Sequence, residues 1–472
     1  MTPSRFLVAG EWRESNRKLP VLNPFNGQIE GEVYQASPAD IEAAIEAACA
    51  AFEHTRKLRS FERSEILLQV AAGVSSRKEE FARLITSDTG KPITLARTEV
   101  DRAIFTFTTA TEEARRVGGE LIPLDLAPHS KAGFGVTRRF PLGPIAAITP
   151  FNFPLNLVAH KLGPAIAAGN SAVLKPASTG ARVALLLGQI LIETRLPPGA
   201  VNILSCSGAE AGQLVTDKRV KLLSFTGSPA VGWDMKSKAG KKKVVLELGG
   251  NAAVVLDAGI DPDSIMPRLI QGSFGNAGQS CIAIQRILVH ESIYESFLAS
   301  LLPAVKAIPV GDPADERTVV GPMINEDAAR KVEGWLSEAK TGGARILCGG
   351  GRKGAFLEPT VVTDARSDMK VCAQEVFAPV VTVERFGTFE QAIGTVNNSE
   401  YGLQAGIFTN NLTNALKAFE ELEVGAVILN DVPTFRMDHM PYGGVKDSGF
   451  GREGVRYAIE EMTEMRLLVA NY

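Results

Sequence analysis

PIAAITPFNFPLNLVAHKLGPAIAAGNSAVLKPAS, residues 144–178, holds two short apolar runs, PIAAIT and SAVLK, separated by the helix-length segment PLNLVAHKLGPAIAAG. The pattern continues with helix GARVALLLGQILIE (180–193), strand VNILS (201–205), helix AEAGQLVTD (209–217), strand LLSFTG (222–227), helix AVGWDMKSKAG (230–240) and strand KVVLELG (243–249). Short strands alternating with helices of this length form βαβ units, because parallel neighbours need a crossover between them. The fold class is therefore α/β with a parallel sheet.

Upstream, Ser37-Pro38-Ala39-Asp40 carries a capping-box pattern with proline at the first helical position. Ile41, Ala44, Ile45, Ala48 and Phe52 follow at helical spacing, which predicts an amphipathic helix. Two further helical stretches are expected at roughly 60–87 and 92–117, then a short extended segment, FGVTRRFPLG (134–143), broken by Pro141 and Gly143. A second α/β region runs from about 249 to 445, and EMTEMRLLVANY (461–472) reads as a terminal strand.

At 472 residues and 45% hydrophobic content the chain exceeds the size at which single cores stop growing, so at least two domains are expected. Lys plus Arg total 50 against 53 for Asp plus Glu, which gives no field drawing the chain to nucleic acid or to an anionic membrane. The basic run KSKAGKKK (236–243) reads as a solvated helix end. No apolar stretch reaches membrane-helix length and no secretory pattern opens the chain, so a soluble cytoplasmic protein with a small-molecule ligand is expected. The five cysteines are scattered and never in C-x-x-C spacing, which argues against a disulfide framework or a thiolate metal site, and no metal is expected.

Each candidate motif has a structural and a functional reading. GGGRKG (349–354) matches G-x-G-x-x-G but runs into the strand AFLEPTVV, so it reads as a hairpin turn. FTGS (225–228) ends a strand and opens a helix, where free N–H groups bind phosphate; it is also an ordinary strand-to-helix turn. Lys175 closes the strand in LKPAS, a position that often carries only surface charge. Cys49, Cys206, Cys348 and Cys372 look structural, whereas Cys281 in GQSC (278–281) follows small residues that leave room for a ligand. None of the five histidines has a recognisable pairing context with it. Glu247 in VVLELGG (244–250) is a buried carboxylate that either pairs or has its pKa raised toward that of a general base. Asn152 in TPFNFP (149–154) forms an Asx-turn or serves as an oxyanion donor.

Taken together in this order, TPFNFP, LKPAS, FTGS, VVLELGG, GQSC, EVFAPV (375–380) and PYGGVKDSGFGREG (441–454) resemble the aldehyde dehydrogenase superfamily over nearly the whole chain. The resemblance implies a Rossmann-type NAD(P)-binding domain (1–121 and 142–248), an α/β catalytic domain (249–445) and a small β oligomerisation arm with the C-terminal strand (122–141 and 446–472). It implies Cys281 as nucleophile, Glu247 as general base, and Asn152 with the Cys281 backbone N–H as oxyanion hole. The thiolate would attack an aldehyde to give a thiohemiacetal, hydride would leave to the nicotinamide, and water activated by Glu247 would hydrolyse the thioester to a carboxylic acid.

About the NADP and/or NAD cofactor the resemblance places Thr149, Pro150, Phe151, Gly208, Gly227 and Leu248. It gives Lys175 the adenosine ribose, Ser228 the pyrophosphate, Glu375 the nicotinamide ribose, and Phe377 the nicotinamide. Ser178 stands where many NAD-preferring members have glutamate, and its neutrality predicts that NADP is used at least as well as NAD. Ser280 stands where some members acting on phosphorylated or phosphonate aldehydes have a cation.

TFRMDHMPYGG (434–444) is similar to the lactaldehyde, non-phosphorylating glyceraldehyde-3-phosphate and phosphonoacetaldehyde dehydrogenase members. Arg436, His439, Arg102, Ser280 and Ile282 are thus the expected substrate contacts for a short polar or anionic aldehyde, unless the arginines are instead spent on a neighbour such as Asp438. An acylating enzyme using coenzyme A is disfavoured by Glu247, and a non-enzymatic relative of the lens-protein kind by Cys281. A homodimer or homotetramer is expected.

Overall fold

The computed structural model describes residues 3–130 and 132–471; the expected domain and arm positions at residues 1, 2, 131 and 472 lie outside them. The alternating region forms one sheet whose strands run, edge to edge, Glu11–Arg13, Phe6–Val8, Val201–Ile203, Ala172–Lys175, Ile145–Ile148, Leu222–Thr226, Lys243–Glu247 and Gly449–Phe450. Its five central strands are parallel. The chain enters at Ile145–Ile148, moves outward through Ala172 and Val201, then returns to add Leu222 and Lys243 on the other side. The order therefore reverses between Ile145–Ile148 and Leu222–Thr226, and a crevice opens beyond the carboxyl ends of strands at such a switch point.

The second region forms a sheet of its own in the order Arg345–Cys348, Thr360–Thr363, Val380–Phe386, Arg286–His290, Ala253–Leu256, Gln404–Phe408, Ala426–Leu429. Separate apolar clusters underlie the two sheets. Leu248-Gly249-Gly250-Asn251 links the last parallel strand of the first sheet to the first strand of the second. Both glycines are dictated by space: a Cβ on Gly249 would lie 2.4 Å from Glu375 Oε2, and one on Gly250 2.6 Å from the Cys281 carbonyl. The linker is thus pressed between two residues of the second region.

A third sheet pairs Thr463–Asn471 with Gly133–Pro141 along its length, and Gly133–Pro141 with Leu121–Pro123. Met465, Leu467, Leu468, Val469 and Phe134 are exposed on it. Two boundaries differ from the sequence expectation. Gly449–Phe450 pairs with Lys243–Glu247, and Val455 and Ile459 of the helix Val455–Glu461 join the first core, so residues 449–461 belong with the first sheet and not with the arm. The stretch 60–87 is two helices, Ser60–Ser76 and Lys78–Thr89, because Arg77 at φ −112°, ψ 23° leaves the helical region. The capping box at Ser37 and Asp40 forms reciprocally, and GGGRKG contains the first strand of the hairpin that pairs Arg352–Lys353 with Phe356–Leu357.

Helix Asn156–Ala168 is buried on every side. It lies between the first sheet and helix Ile93–Glu113, with Gly163 closely facing Ala110 and Phe107. Its first turn is capped by the Glu99 carboxylate, which accepts from the N–H groups of Leu155 (2.9 Å) and Asn156 (3.2 Å) and is itself paired with the buried Lys91. That cap fixes the loop carrying Asn152 and Phe153.

Candidate active site

At the switch point, the loop Thr149–Phe153 leaves one strand and Gly227-Ser228 leaves its neighbour. The hydroxyls of Thr149 and Thr226 are buried there without a partner among the described residues. Gly227 comes so near Phe225 that a Cβ would sit 2.4 Å from the ring. Ser228 is the N-cap of helix Pro229–Lys238, with its side chain not engaged in capping. Lys175 ends its strand as a half-buried residue, and burial lowers its pKa. Ser178 and Gly208 lie on the adjoining loops, and no side-chain atom crowds the position above Gly208. Phe151 meets Phe377 edge to face at 6.1 Å, and Phe377 is held at φ 53°. Open polar groups, glycines and an aromatic wall at strand ends fit a dinucleotide.

Glu375 reaches the linker, where its Oε1 accepts from the Gly250 N–H at 3.0 Å, and burial raises its pKa to about 7. Leu248 is buried, with its N–H bonded to the Ser448 carbonyl. Across the linker stands Cys281, on the turn closed by the Ala283 N–H and Ser280 carbonyl. Its sulfur lies 3.1 Å from the Tyr442 hydroxyl. Burial pushes the thiol up to about 11, against the opposing effect of that hydrogen bond. Ile282, Leu403 and Tyr442 form the apolar surface around it. Asn152 is buried and donates one amide N–H to the carbonyl of Gln279, two residues before Cys281, at 3.1 Å, with no partner for its other N–H among the described residues.

Glu247 ends the Lys243–Glu247 strand, 3% exposed, and neither carboxyl oxygen has a hydrogen-bond partner among the described residues. Burial first, and the negative charge of Glu453 second, push its pKa well above the carboxylate range. Of the two readings open in the sequence, the paired carboxylate is not realised among the described residues. Glu453 is ionised at about 2 in spite of its burial, because Lys161 (3.0 Å), with His160 and Arg436, favours its charge.

The arginines are arranged around Asp438. Arg102 grips it through two bonds of 2.7 and 3.0 Å, so the pairing expected as an alternative is realised there. Asp438 also accepts from Asn156 (3.0 Å) and His160 (2.8 Å). Burial alone would raise its pKa, yet the bonds from His160 and Arg102 hold it far below the usual range. Arg436 is nearly enclosed, 3.9 Å from Asp438 and 3.6 Å from Glu453, with its guanidinium 3.5 Å above the Tyr442 ring centroid. His439 is exposed and packs against Phe105, and Ser280 is half-exposed beside Cys281. Tyr442, His160, Lys161 and Glu453 are site residues that the sequence does not single out. The one signal for the pair on the helix was two ionisable side chains, His160 and Lys161, in an otherwise apolar stretch.

Residues 12–468 match the sequence profile of the aldehyde dehydrogenase family. The chain belongs to that family. As a member it is an NAD(P)-dependent aldehyde dehydrogenase. The dehydrogenase is 47% identical over 465 residues to the 3-sulfolactaldehyde dehydrogenase of Priestia aryabhattai, covering 98% of this chain and 97% of the relative. Its fold matches aldehyde dehydrogenase 21 from Physcomitrella patens in complex with the reaction product succinate, with TM-score 0.98, 46% identity, and coverage of 100% and 99%. It also matches glyceraldehyde-3-phosphate dehydrogenase from Methanocaldococcus jannaschii complexed with NADP, with TM-score 0.93, 39% identity, and coverage of 97% and 100%. Among the described residues, no group of three or more His, Cys, Asp and Glu side chains stands ready for a metal, and no helix is long and apolar enough to cross a membrane.

Proposed function

We propose that this dehydrogenase oxidises a short aldehyde bearing an anionic group, through covalent catalysis on Cys281. The observation that carries the substrate class is the charge around Tyr442. Arg102, Arg436 and Lys161 outnumber Asp438 and Glu453, the two carboxylates they pair with, so this cluster around Tyr442 holds more cations than carboxylates. Buried charge without a partner is costly, and an anionic ligand relieves that cost. A sulfonated aldehyde and a dicarboxylate product are the molecules named for two of the relatives, which supports the same class.

The Cys281 thiolate adds to the aldehyde carbon, and the resulting oxyanion accepts hydrogen bonds from the uncommitted Asn152 N–H and the Cys281 backbone N–H. Thr149, Pro150, Phe151, Lys175, Ser178, Gly208, Gly227, Ser228, Leu248, Glu375 and Phe377 hold NAD(P), which when bound supplies the hydride acceptor. The thioester then on Cys281 is hydrolysed by water that Glu247 deprotonates. The neutral Ser178 admits the extra phosphate of NADP. Residues 1–121 and 142–248, together with 449–461, serve as the cofactor domain and 249–445 as the catalytic domain. The exposed apolar strand Thr463–Asn471 assembles copies of the chain into a homodimer or homotetramer.

The test compares kcat/KM for an anionic and a neutral aldehyde of equal length in wild type and Arg102→Gln, alongside Cys281→Ser and Glu247→Gln. The anionic preference should fall selectively in Arg102→Gln, Cys281→Ser should be inert, and Glu247→Gln should give one burst of reduced cofactor and then stall. Equal losses for both aldehydes refute the substrate class, and steady turnover in either of the other variants refutes the mechanism.

A further inference from the structure

We propose that Tyr442 is a catalytic residue in its own right: its phenolic hydroxyl donates to the Cys281 thiolate, and Arg436, stacked on its ring, is the positioning residue that aims it. The assignment rests on Cys281 as the nucleophile. A buried thiol is reluctant to ionise, and an apolar pocket formed by Ile282 and Leu403 gives the charge no support. Tyr442 is the group that touches the sulfur, at 3.1 Å.

Three restraints hold the hydroxyl there. The Tyr442 N–H donates to the Glu453 carbonyl at 3.0 Å, and the Glu453 N–H returns a bond to the Tyr442 carbonyl, so the backbone is pinned on both sides. The Arg436 guanidinium covers one ring face at 3.5 Å. The side chain is 4% exposed and has no room to turn away. Burial also raises the phenol's own pKa well above its ordinary value, so the group is protonated and can only donate to an anionic sulfur. The other charged or titratable groups acting on the thiol are Glu375, Arg436 and Glu247. Glu375 and Glu247 oppose its ionisation and Arg436 assists it through the ring. A phenylalanine here would pack equally well and accept the same guanidinium, so the hydroxyl is the part that packing does not explain.

The experiment is alkylation of Cys281 by brief pulses of iodoacetamide between pH 8 and 12, followed by mass spectrometry of the peptide containing residue 281, in the cofactor-free wild type and Tyr442→Phe. Loss of one hydrogen bond to a charged group should raise the midpoint of labelling by about one pH unit and slow labelling about tenfold below it. Cofactor binding should be unchanged. Wild-type enzyme containing 3-fluorotyrosine, whose phenol is a stronger donor, should shift the midpoint the other way, and carries the test should Tyr442→Phe not fold. A midpoint unmoved in these proteins overturns the proposal. Full turnover by enzyme labelled at Cys281 would instead overturn the nucleophile while leaving the hydrogen bond measured.

Discussion

Asp438→Asn is expected to weaken the fold well beyond the loss of a surface ion pair. The carboxylate collects two bonds from Arg102 and one each from Asn156 and His160, and lies within 3.9 Å of Arg436. The amide keeps one acceptor oxygen and turns an N–H toward a donor. Breaking a buried ion pair by removing one partner costs about 3–5 kcal/mol, and the 26% exposure of Arg102 lets water relieve part of this, so about 3 kcal/mol is expected. At roughly 2–4 °C per kcal/mol for folding units of 150–250 residues, the fall in Tm is about 6–12 °C. Circular dichroism melts at pH 7 measure it, with Asp431→Asn as the control. Asp431 forms an equally short bidentate pair with Arg268, but the side chains are 25% and 43% exposed, and such a pair is worth about 1 kcal/mol or less. The Asp438 pKa is lowered in the fold, so its contribution is full above the ordinary value of about 4 and is lost as pH falls further. The gap between wild type and variant should be constant from pH 8 to 5 and narrow below about 4. A fall no larger than that of the control refutes the hub.

Glu453→Gln removes the negative charge that helps keep Glu247 protonated, so thioester hydrolysis, followed as steady-state kcat against pH, should begin its rise about one pH unit lower. An unshifted profile would show that burial alone sets the Glu247 proton. Ser178→Glu should move the ratio of kcat/KM for NADP and NAD toward NAD by about tenfold or more, through one close like-charge contact; an unchanged ratio removes residue 178 from cofactor choice.

The βαβ alternation was legible because each strand is a short apolar run bounded by helix-length segments, and the parallel sheet has those strands at its centre. Cys281, Glu247 and Asn152 stand out in the sequence as candidates because each follows or precedes glycines, prolines or small residues that mark a loop. The hub was not legible. Asp438 joins Arg102, Asn156 and His160 across 336, 282 and 278 positions of chain, distances over which periodicity carries no information. Helix Asn156–Ala168, buried all round, has no polar stripe to show where its faces point. The split at Arg77 was missed because both halves keep helical spacing on either side of one non-helical residue.

The two glycines of the linker have a consequence for how activity is lost. Glu247 is anchored in one sheet and Cys281 beyond the first strand of the next, each over its own apolar core. No single core therefore sets the separation of Glu247, the proposed base, and Cys281, the proposed nucleophile; the seam between two bodies does, with Glu375 and the Cys281 carbonyl wedged against Gly249 and Gly250. Local opening takes less free energy than global unfolding. Catalysis should thus gauge docking: mild denaturant that parts the seam is expected to silence the enzyme while both sheets keep their structure, with activity regained on dilution timing the closing of that joint.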